Sequence, residues 1–252
     1  MDGRSPARTA PVVSVVVPCR DEAGNLPALI EEIGAALAGG PFEVIVVDDG
    51  SGDGSADVLA ELARSRPWLR HVRHARSCGQ SAAVRTGLLA ATGDIVATID
   101  GDGQNDPVYL PLLVKRLVEG DTRVGLVAGQ RQRRTDPGLK QMASRFANGL
   151  RSAVLKDGTA DSGCGLKALR RDLFLLLPYF DGWHRYLPAL VIREGYEVAH
   201  IDVVDRKRRH GVSKYGIVDR GLVGILDLFG VWWLRRRRKR LPEVTEMEFH
   251  DR

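Results

Sequence analysis

Asp94-Ile95-Val96-Ala97-Thr98-Ile99-Asp100-Gly101-Asp102-Gly103-Gln104 is an apolar run that stops on two carboxylates one residue apart. A short run of β-branched and small residues ending at a glycine-rich turn reads as a buried strand. The same rhythm recurs outward from it. Upstream, 80–91 reads as an Ala-rich helix closed at Gly93, and 69–74 as a strand. Residues 55–65 read as a helix, and 42–47 as a strand ending in Asp48-Asp49-Gly50-Ser51-Gly52. Asn25 is placed to cap a helix reaching about Leu37, with Pro27 in its first turn, and 12–17 is a strand that stops at Pro18. Downstream, Asp106-Pro107 opens another helix and 124–128 is a fifth strand. Units of this length and order predict an α/β fold, a mostly parallel central sheet flanked by helices. Ligands of such sheets bind beyond the carboxyl ends of the strands, where both acidic clusters fall.

The charge is local rather than general. The formal net charge is +5, yet Arg235-Arg236-Arg237-Arg238-Lys239-Arg240 alone carries +6, leaving the rest near −1. One basic stretch without a recognition motif argues against a nucleic-acid partner and for a confined anionic contact. Cys19, Cys78 and Cys164 are odd in number and far apart with no C-x-x-C pair, which argues against a disulfide framework or a zinc site and favours a reducing compartment. Residues 1–11 have no apolar centre, so they read as a disordered segment rather than a signal peptide.

Two segments have membrane-facing potential. Leu139, Met142, Ala143, Phe146, Leu150, Ala153 and Val154 recur at helical spacing, which fits either packing on the sheet or membrane contact. Residues 215–234 are apolar almost all round, carry Trp232-Trp233 and meet the basic run, as an interfacial anchor would. The most apolar window, 221–234, is short of the roughly 20 residues needed to span a bilayer.

Asp100 and Asp102 can turn toward one point once the strand ends, and Gly101 and Gly103 leave room for a bulky anion. Two carboxylates with an oxygen from Gln104 suit a hard divalent cation, Mg²⁺ or Mn²⁺, whose other positions take diphosphate oxygens. Asp48, Asp49 and Ser51 can accept from a base or ribose, beside Pro18, Arg20, Asp21 and Glu22 at the end of the first strand.

Pro18-Cys19-Arg20-Asp21-Glu22-Ala23-Gly24-Asn25, Val46-Val47-Asp48-Asp49-Gly50-Ser51 and Asp100-Gly101-Asp102-Gly103-Gln104 together resemble family 2 glycosyltransferases of GT-A fold. Within that family the chain looks most like the dolichol-phosphate mannosyltransferase group of polyprenyl-phosphate sugar transferases, because Arg208-Arg209-His210-Gly211-Val212-Ser213-Lys214-Tyr215 is similar to the group's basic segment. The resemblance covers about 12–216. It implies a GT-A, Rossmann-like sheet; the C-terminal part, read above as amphipathic interfacial helices, departs from the many relatives that carry transmembrane helices there. It implies that Asp48 and its neighbours bind the nucleotide, and that Asp100, Asp102 and Gln104 hold the metal. Arg131 and Arg145 would face donor or acceptor phosphates, and Arg206, Arg208, Ser213 and Lys214 would close over the diphosphate and acceptor. Asp161, in Asp161-Ser162-Gly163-Cys164-Gly165, falls where many relatives carry a general base, although an acceptor phosphate is already ionised near neutral pH.

The expected organisation is a disordered start (1–11), a catalytic domain (12–214), a membrane-interfacial helix with its basic stretch (215–240) and a flexible tail (241–252). The expected activity is inverting transfer of a hexose, mannose or glucose type, from a GDP- or UDP-sugar to a polyprenyl phosphate. It would take place at the cytoplasmic membrane surface, with peripheral contact to anionic lipid. A separate membrane subunit or a homo-oligomer would suit such a chain. A saccharide or other non-lipid acceptor is the alternative.

Overall fold

The computed structural model describes residues 12–132, 149, 151–207 and 219–239. Four strands, β1 (Val13–Cys19), β2 (Phe42–Asp48), β3 (Leu69–Arg73) and β4 (Ile95–Thr98), alternate with helices α1 (Leu26–Leu37), α2 (Ser55–Arg64) and α3 (Gln80–Ala90). Then follow α4 (Tyr109–Glu119), β5 (Val124–Arg131), β6 (Lys167–Arg170), α5 (Arg171–Leu176), α6 (Leu187–Arg193), β7 (Glu197–Val203) and α7 (Asp219–Arg236). The sheet order is β3-β2-β1-β4-β6-β5-β7. Every pairing is parallel except those of β6, which runs antiparallel between β4 and β5.

Strand residues alternate between two apolar layers, as the two-residue period requires. Val13, Val15, Val17, Val44 and Val46 pack with α1, α2 and α4 on one side. Val16, Ile45 and Val47 pack with α3, α5, α6 and α7 on the other. Both faces are covered, so these strands are continuously apolar rather than half polar. Cys19 pairs with Asp48 at the last rung, which brings the carboxyl ends of β1 and β2 level.

Several local expectations change. Asn25 does precede α1, but its side chain donates to Glu22 Oε2 at 2.6 Å and does not cap the helix. Asp106-Pro107 sits in the turn before α4, whose first residue is Tyr109. β6 and β7 have no counterpart in the sequence reading, because their runs are short and the polar Lys167, Arg170 and Glu197 interrupt them. The described end of the 139–155 segment, helical at 151–155, is split: Ala153 and Val154 of the expected apolar face are exposed, while the residues on either side turn inward. Leu155 is buried, and buried Arg151 pairs with Asp157 and lies over the Tyr186 ring. Among the described residues no helix is long and apolar enough to cross a membrane. Helix α7 docks on the body of the protein: it buries Leu228 and Val231, and Arg193 Nε donates to Leu234 O at 3.2 Å.

Glu43 ties four segments of this scaffold together. Its carboxylate accepts from Ser14 Oγ (2.6 Å), Thr92 N and Oγ1 (2.7 Å each) and Arg70 Nη1 (2.5 Å). Burial opposes its charge, but these donors outweigh that and hold its pKa down at about 2. A depressed carboxyl contributes stability above its unfolded pKa, and that contribution is lost as pH falls through the folded value. Glu43→Gln should therefore lower the urea midpoint at pH 7. The gap to the parent chain should close as pH falls from about 4.5 toward about 2; a pH-independent gap would contradict this assignment.

Candidate functional site at the strand ends

The site is built where β1, β2 and β4 stop. The chain past β4 turns tightly against β1: a Cβ on Gly101 would stand 2.8 Å from Cys19 Cβ and 2.9 Å from Pro18 O. Only glycine permits that approach. Gly103 then adopts φ +72°, and Asp102 Oδ1 accepts from Gln104 N at 3.1 Å. Asp100 Oδ1 accepts from Gln80 Nε2 at 2.8 Å, and Gly165 packs on the other side of the same carboxyl. Desolvation, followed by the nearby Asp102, raises the Asp100 pKa to about 6, against the pull of Lys167 and Arg131.

A second layer supports these carboxylates. Arg131, at the end of β5, grips Asp161 with Nε (2.5 Å) and Nη2 (2.9 Å) and reaches Asp205 with Nη1 (3.1 Å). Asp205 also accepts from Asn105 Nδ2 at 3.0 Å. Burial works against the charge of Arg131, but Asp161 and Asp205 hold it well above its ordinary pKa. Lys167 is buried below, its ammonium donating to Cys164 O, with burial drawing its pKa down. Arg206 pairs with Glu32 and with Asp106 (2.6 Å), and its N–H donates to Gln104 O at 2.7 Å. It braces the 104–106 turn.

The two β2 carboxylates divide their work. Asp48 is fully buried. Its Oδ1 accepts from Ser51 N at 2.8 Å, while Oδ2 has no hydrogen bond and lies 3.4 Å from Arg73 Nε. Asp49 accepts from His74 Nδ1 (2.7 Å), Ser77 Oγ (2.7 Å), Cys78 N (2.8 Å) and Gly79 N (2.9 Å). Burial opposes the charge of Asp49, yet these donors hold its pKa below the usual value. Arg20 joins the same loop through Ser77 Oγ at 3.0 Å. Ser51 Oγ accepts from Asp21 N at 2.8 Å, and Glu22 N donates to Ser55 Oγ at 3.1 Å, so these residues knit the β1 and β2 turns together.

The donors present fit a hard cation at Asp100 and Asp102. Burial, and after it the like charge of Asp102, push Asp100 toward protonation, and a divalent ion held through oxygen ligands would relieve both. Asp49, His74 and Cys78 also bring ligand atoms within 4.8 Å of one another. There, however, both Asp49 oxygens are filled by protein donors.

Of the residues singled out from sequence, Pro18, Arg20, Glu22, Asp48, Asp49, Ser51, Asp100, Asp102, Gln104, Arg131, Asp161 and Arg206 lie on these strand ends and the turns bracing them. Arg145, Arg208, Ser213 and Lys214 lie outside the described residues. Asp161 is engaged by Arg131 through both oxygens, which suits positioning better than proton abstraction. Sequence reasoning missed Gln80, Asn105, Gly165, Lys167 and Asp205. Only Asn105, directly after Gln104, carried a positional signal.

The glycosyl transferase family 2 model matches residues 14–176. The undecaprenyl-phosphate 4-deoxy-4-formamido-L-arabinose transferase of Pectobacterium carotovorum is 36% identical over 209 residues, covering 82% of this chain and 63% of that protein. The dodecaprenyl-phosphate galacturonate synthase of Rhizobium johnstonii is 35% identical over 234 residues, covering 90% and 68%. The chain thus spans just under two thirds of the former's length. Among solved structures, mannosyl-3-phosphoglycerate synthase from Rubrobacter xylanophilus matches with a TM-score of 0.71 at 22% identity, covering 93% of this chain and 79% of that one. A Mycobacterium tuberculosis glucosyl-3-phosphoglycerate synthase, in complex with Mn²⁺, UDP-glucose and phosphoglyceric acid, gives 0.68 at 23%, covering 87% and 80%. At these identities the likeness to the solved structures is one of fold.

Gly165 supplies a direct test of the packing. A Cβ there would sit 2.5 Å from Asp100 Cγ and Oδ2 and 2.6 Å from Asn105 Oδ1. Gly165→Ala should cost ~1–3 kcal/mol in chemical denaturation and weaken Mn²⁺ binding by displacing Asp100. Parental stability together with parental Mn²⁺ affinity would show that the contact is slack.

Proposed function

We propose that this chain, which belongs to glycosyl transferase family 2, moves a hexose-type sugar from a nucleotide sugar to a polyprenyl phosphate with inversion at the anomeric carbon. The observation that carries the reading is the Asp100–Asp102 pair at the end of β4, level with buried Asp48 and backed by Arg131. Uridine is the favoured base. The UDP-glucose named for the solved relative supports that choice.

In this mechanism an acceptor phosphate oxygen attacks the anomeric carbon, and the bond from that carbon to the diphosphate oxygen breaks. The phosphate is already ionised, so no strong base is required. Asp100, Asp102 and Gln104 would hold Mg²⁺ or Mn²⁺, which when bound supplies charge neutralisation for the leaving diphosphate. The Mn²⁺ named with the solved relative supports that metal class. Arg131, fixed on Asp161 and Asp205, is held beside the carboxylates without having to be reorganised and offsets part of their charge.

The acceptor reading is supported by the polyprenyl phosphates named for the relatives and by helix α7. Ile225, Leu226, Phe229 and Trp233 share one exposed face, and Arg236 and Arg237 stack on Trp232 and Trp233 at its end. An apolar stripe closed by Trp and Arg suits the headgroup boundary of an anionic bilayer. We take the protein to work as a peripheral enzyme at the cytoplasmic face.

Asp102→Ala should abolish Mn²⁺-dependent release of UDP from UDP-sugar in the presence of polyprenyl phosphate; undiminished turnover would sink the assignment. Phe229→Ser/Trp233→Ser should reduce co-sedimentation with anionic vesicles by roughly tenfold or more, in line with the loss of two exposed aromatic side chains that the bilayer would otherwise bury. Unchanged vesicle binding would favour a soluble acceptor.

A further inference from the structure

Gln80 is assigned no role by the reading above, although its side chain touches the central carboxylate. It is the first residue of α3, and Nε2 donates to Asp100 Oδ1 at 2.8 Å. Its backbone is pinned from both sides. On one side Gly79, at φ +90°, donates its N–H to Asp49 Oδ2, and Asp49 also collects Ser77, Cys78 and His74. His74 Nε2 contacts Thr86 Oγ1 at 2.8 Å, tying that loop back to α3. On the other side Ser81 Oγ accepts from Gly182 N at 2.9 Å, and Ser81 O from Trp183 Nε1 at 3.2 Å. The amide therefore meets Asp100 in one place.

We propose that Gln80 is a positioning residue for Asp100, and that Asp49 acts through it by fixing the 74–79 loop, not as a ligand of the nucleotide. The inference rests on the cation reading of Asp100 and Asp102. The residue type suits the task. A neutral amide donor orients one carboxylate oxygen and leaves the other, with its charge, for a cation. A lysine at position 80 would compete with the ion, and a carboxylate would add repulsion. Asp49 meanwhile has each oxygen accepting two protein donors, which makes it a poor partner for a base or ribose. The ends of β2 and β4 are thereby joined by one loop.

The test is Mn²⁺ binding to the full chain without any substrate, read from the free-Mn²⁺ electron paramagnetic resonance signal. Gln80→Leu should weaken Mn²⁺ binding by about 10–100-fold, the range for a lost partner of a metal ligand. Turnover should recover at saturating Mn²⁺. Asp49→Asn should weaken binding in the same direction, and the double variant should bind no more weakly than Gln80→Leu alone, because both act through one contact. Additive losses would overturn the relay, and an affinity for Gln80→Leu within about twofold of the parent would overturn the positioning role. Asp102→Ala separates the two layers of the argument: if it binds Mn²⁺ like the parent, the cation reading itself fails and this inference falls with it.

Discussion

Asp100 is an acid placed where an acid is costly, desolvated and beside Asp102, with its pKa driven up to about 6. A charge drawn out of water is costly unless it is paired or hydrogen-bonded, so the surroundings must answer it. They do so in graded fashion. Gln80 donates without neutralising, while Lys167 and Arg131 contribute positive charge from below. Arg131 is itself held by Asp161 and Asp205, so its charge is already answered by protein carboxylates. Four carboxylates (Asp100, Asp102, Asp161 and Asp205) face two cations (Lys167 and Arg131), and the excess of negative charge is what a divalent cation would remove.

The fold exists in the form that delivers this arrangement. The antiparallel β6 lies beside β4 and brings Lys167 opposite Thr98 and Gly165 onto Asp100. An all-parallel strand at that position could not follow directly from the 161–165 turn. Helix α7 completes the second apolar layer, and Tyr186 Oη donates to Gly224 O at 3.2 Å. Arg238 pairs with Glu194 on the chain just past α6. The helix carrying the exposed apolar stripe is thus packed against the sheet and α6 rather than trailing from them. A membrane bound along that stripe would meet the body in a fixed orientation.

Much of this was legible in the chain. The β-branched runs ending at Pro18, Asp48 and Ile99 announced buried parallel strands, because both faces of the sheet are covered and no alternation is needed. The acid pairs at those ends pointed to the site by position alone. What stayed hidden depends on long-range contact. Gln80 reads as an ordinary polar residue at a helix start, and Lys167 as one charge in a basic stretch; only the sheet order places them around Asp100. The partners of Asp49 were hidden for the same reason. Its neighbour Asp48 keeps an oxygen without a hydrogen bond, whereas the loop 25 to 30 residues downstream consumes Asp49 entirely. The apolar end of the chain was read for its composition, but its division into a buried and an exposed face needed α6 as a reference.

The central claim is that one divalent ion completes the Asp100–Asp102 carboxylates when a nucleoside diphosphate is present. Anomalous diffraction at the manganese edge, from crystals of the chain grown with UDP and Mn²⁺, reads it directly. The account predicts a single strong peak contacting Asp100, Asp102 and the diphosphate oxygens. UDP bound with no such peak, or a peak at Asp49, His74 and Cys78 instead, would contradict it.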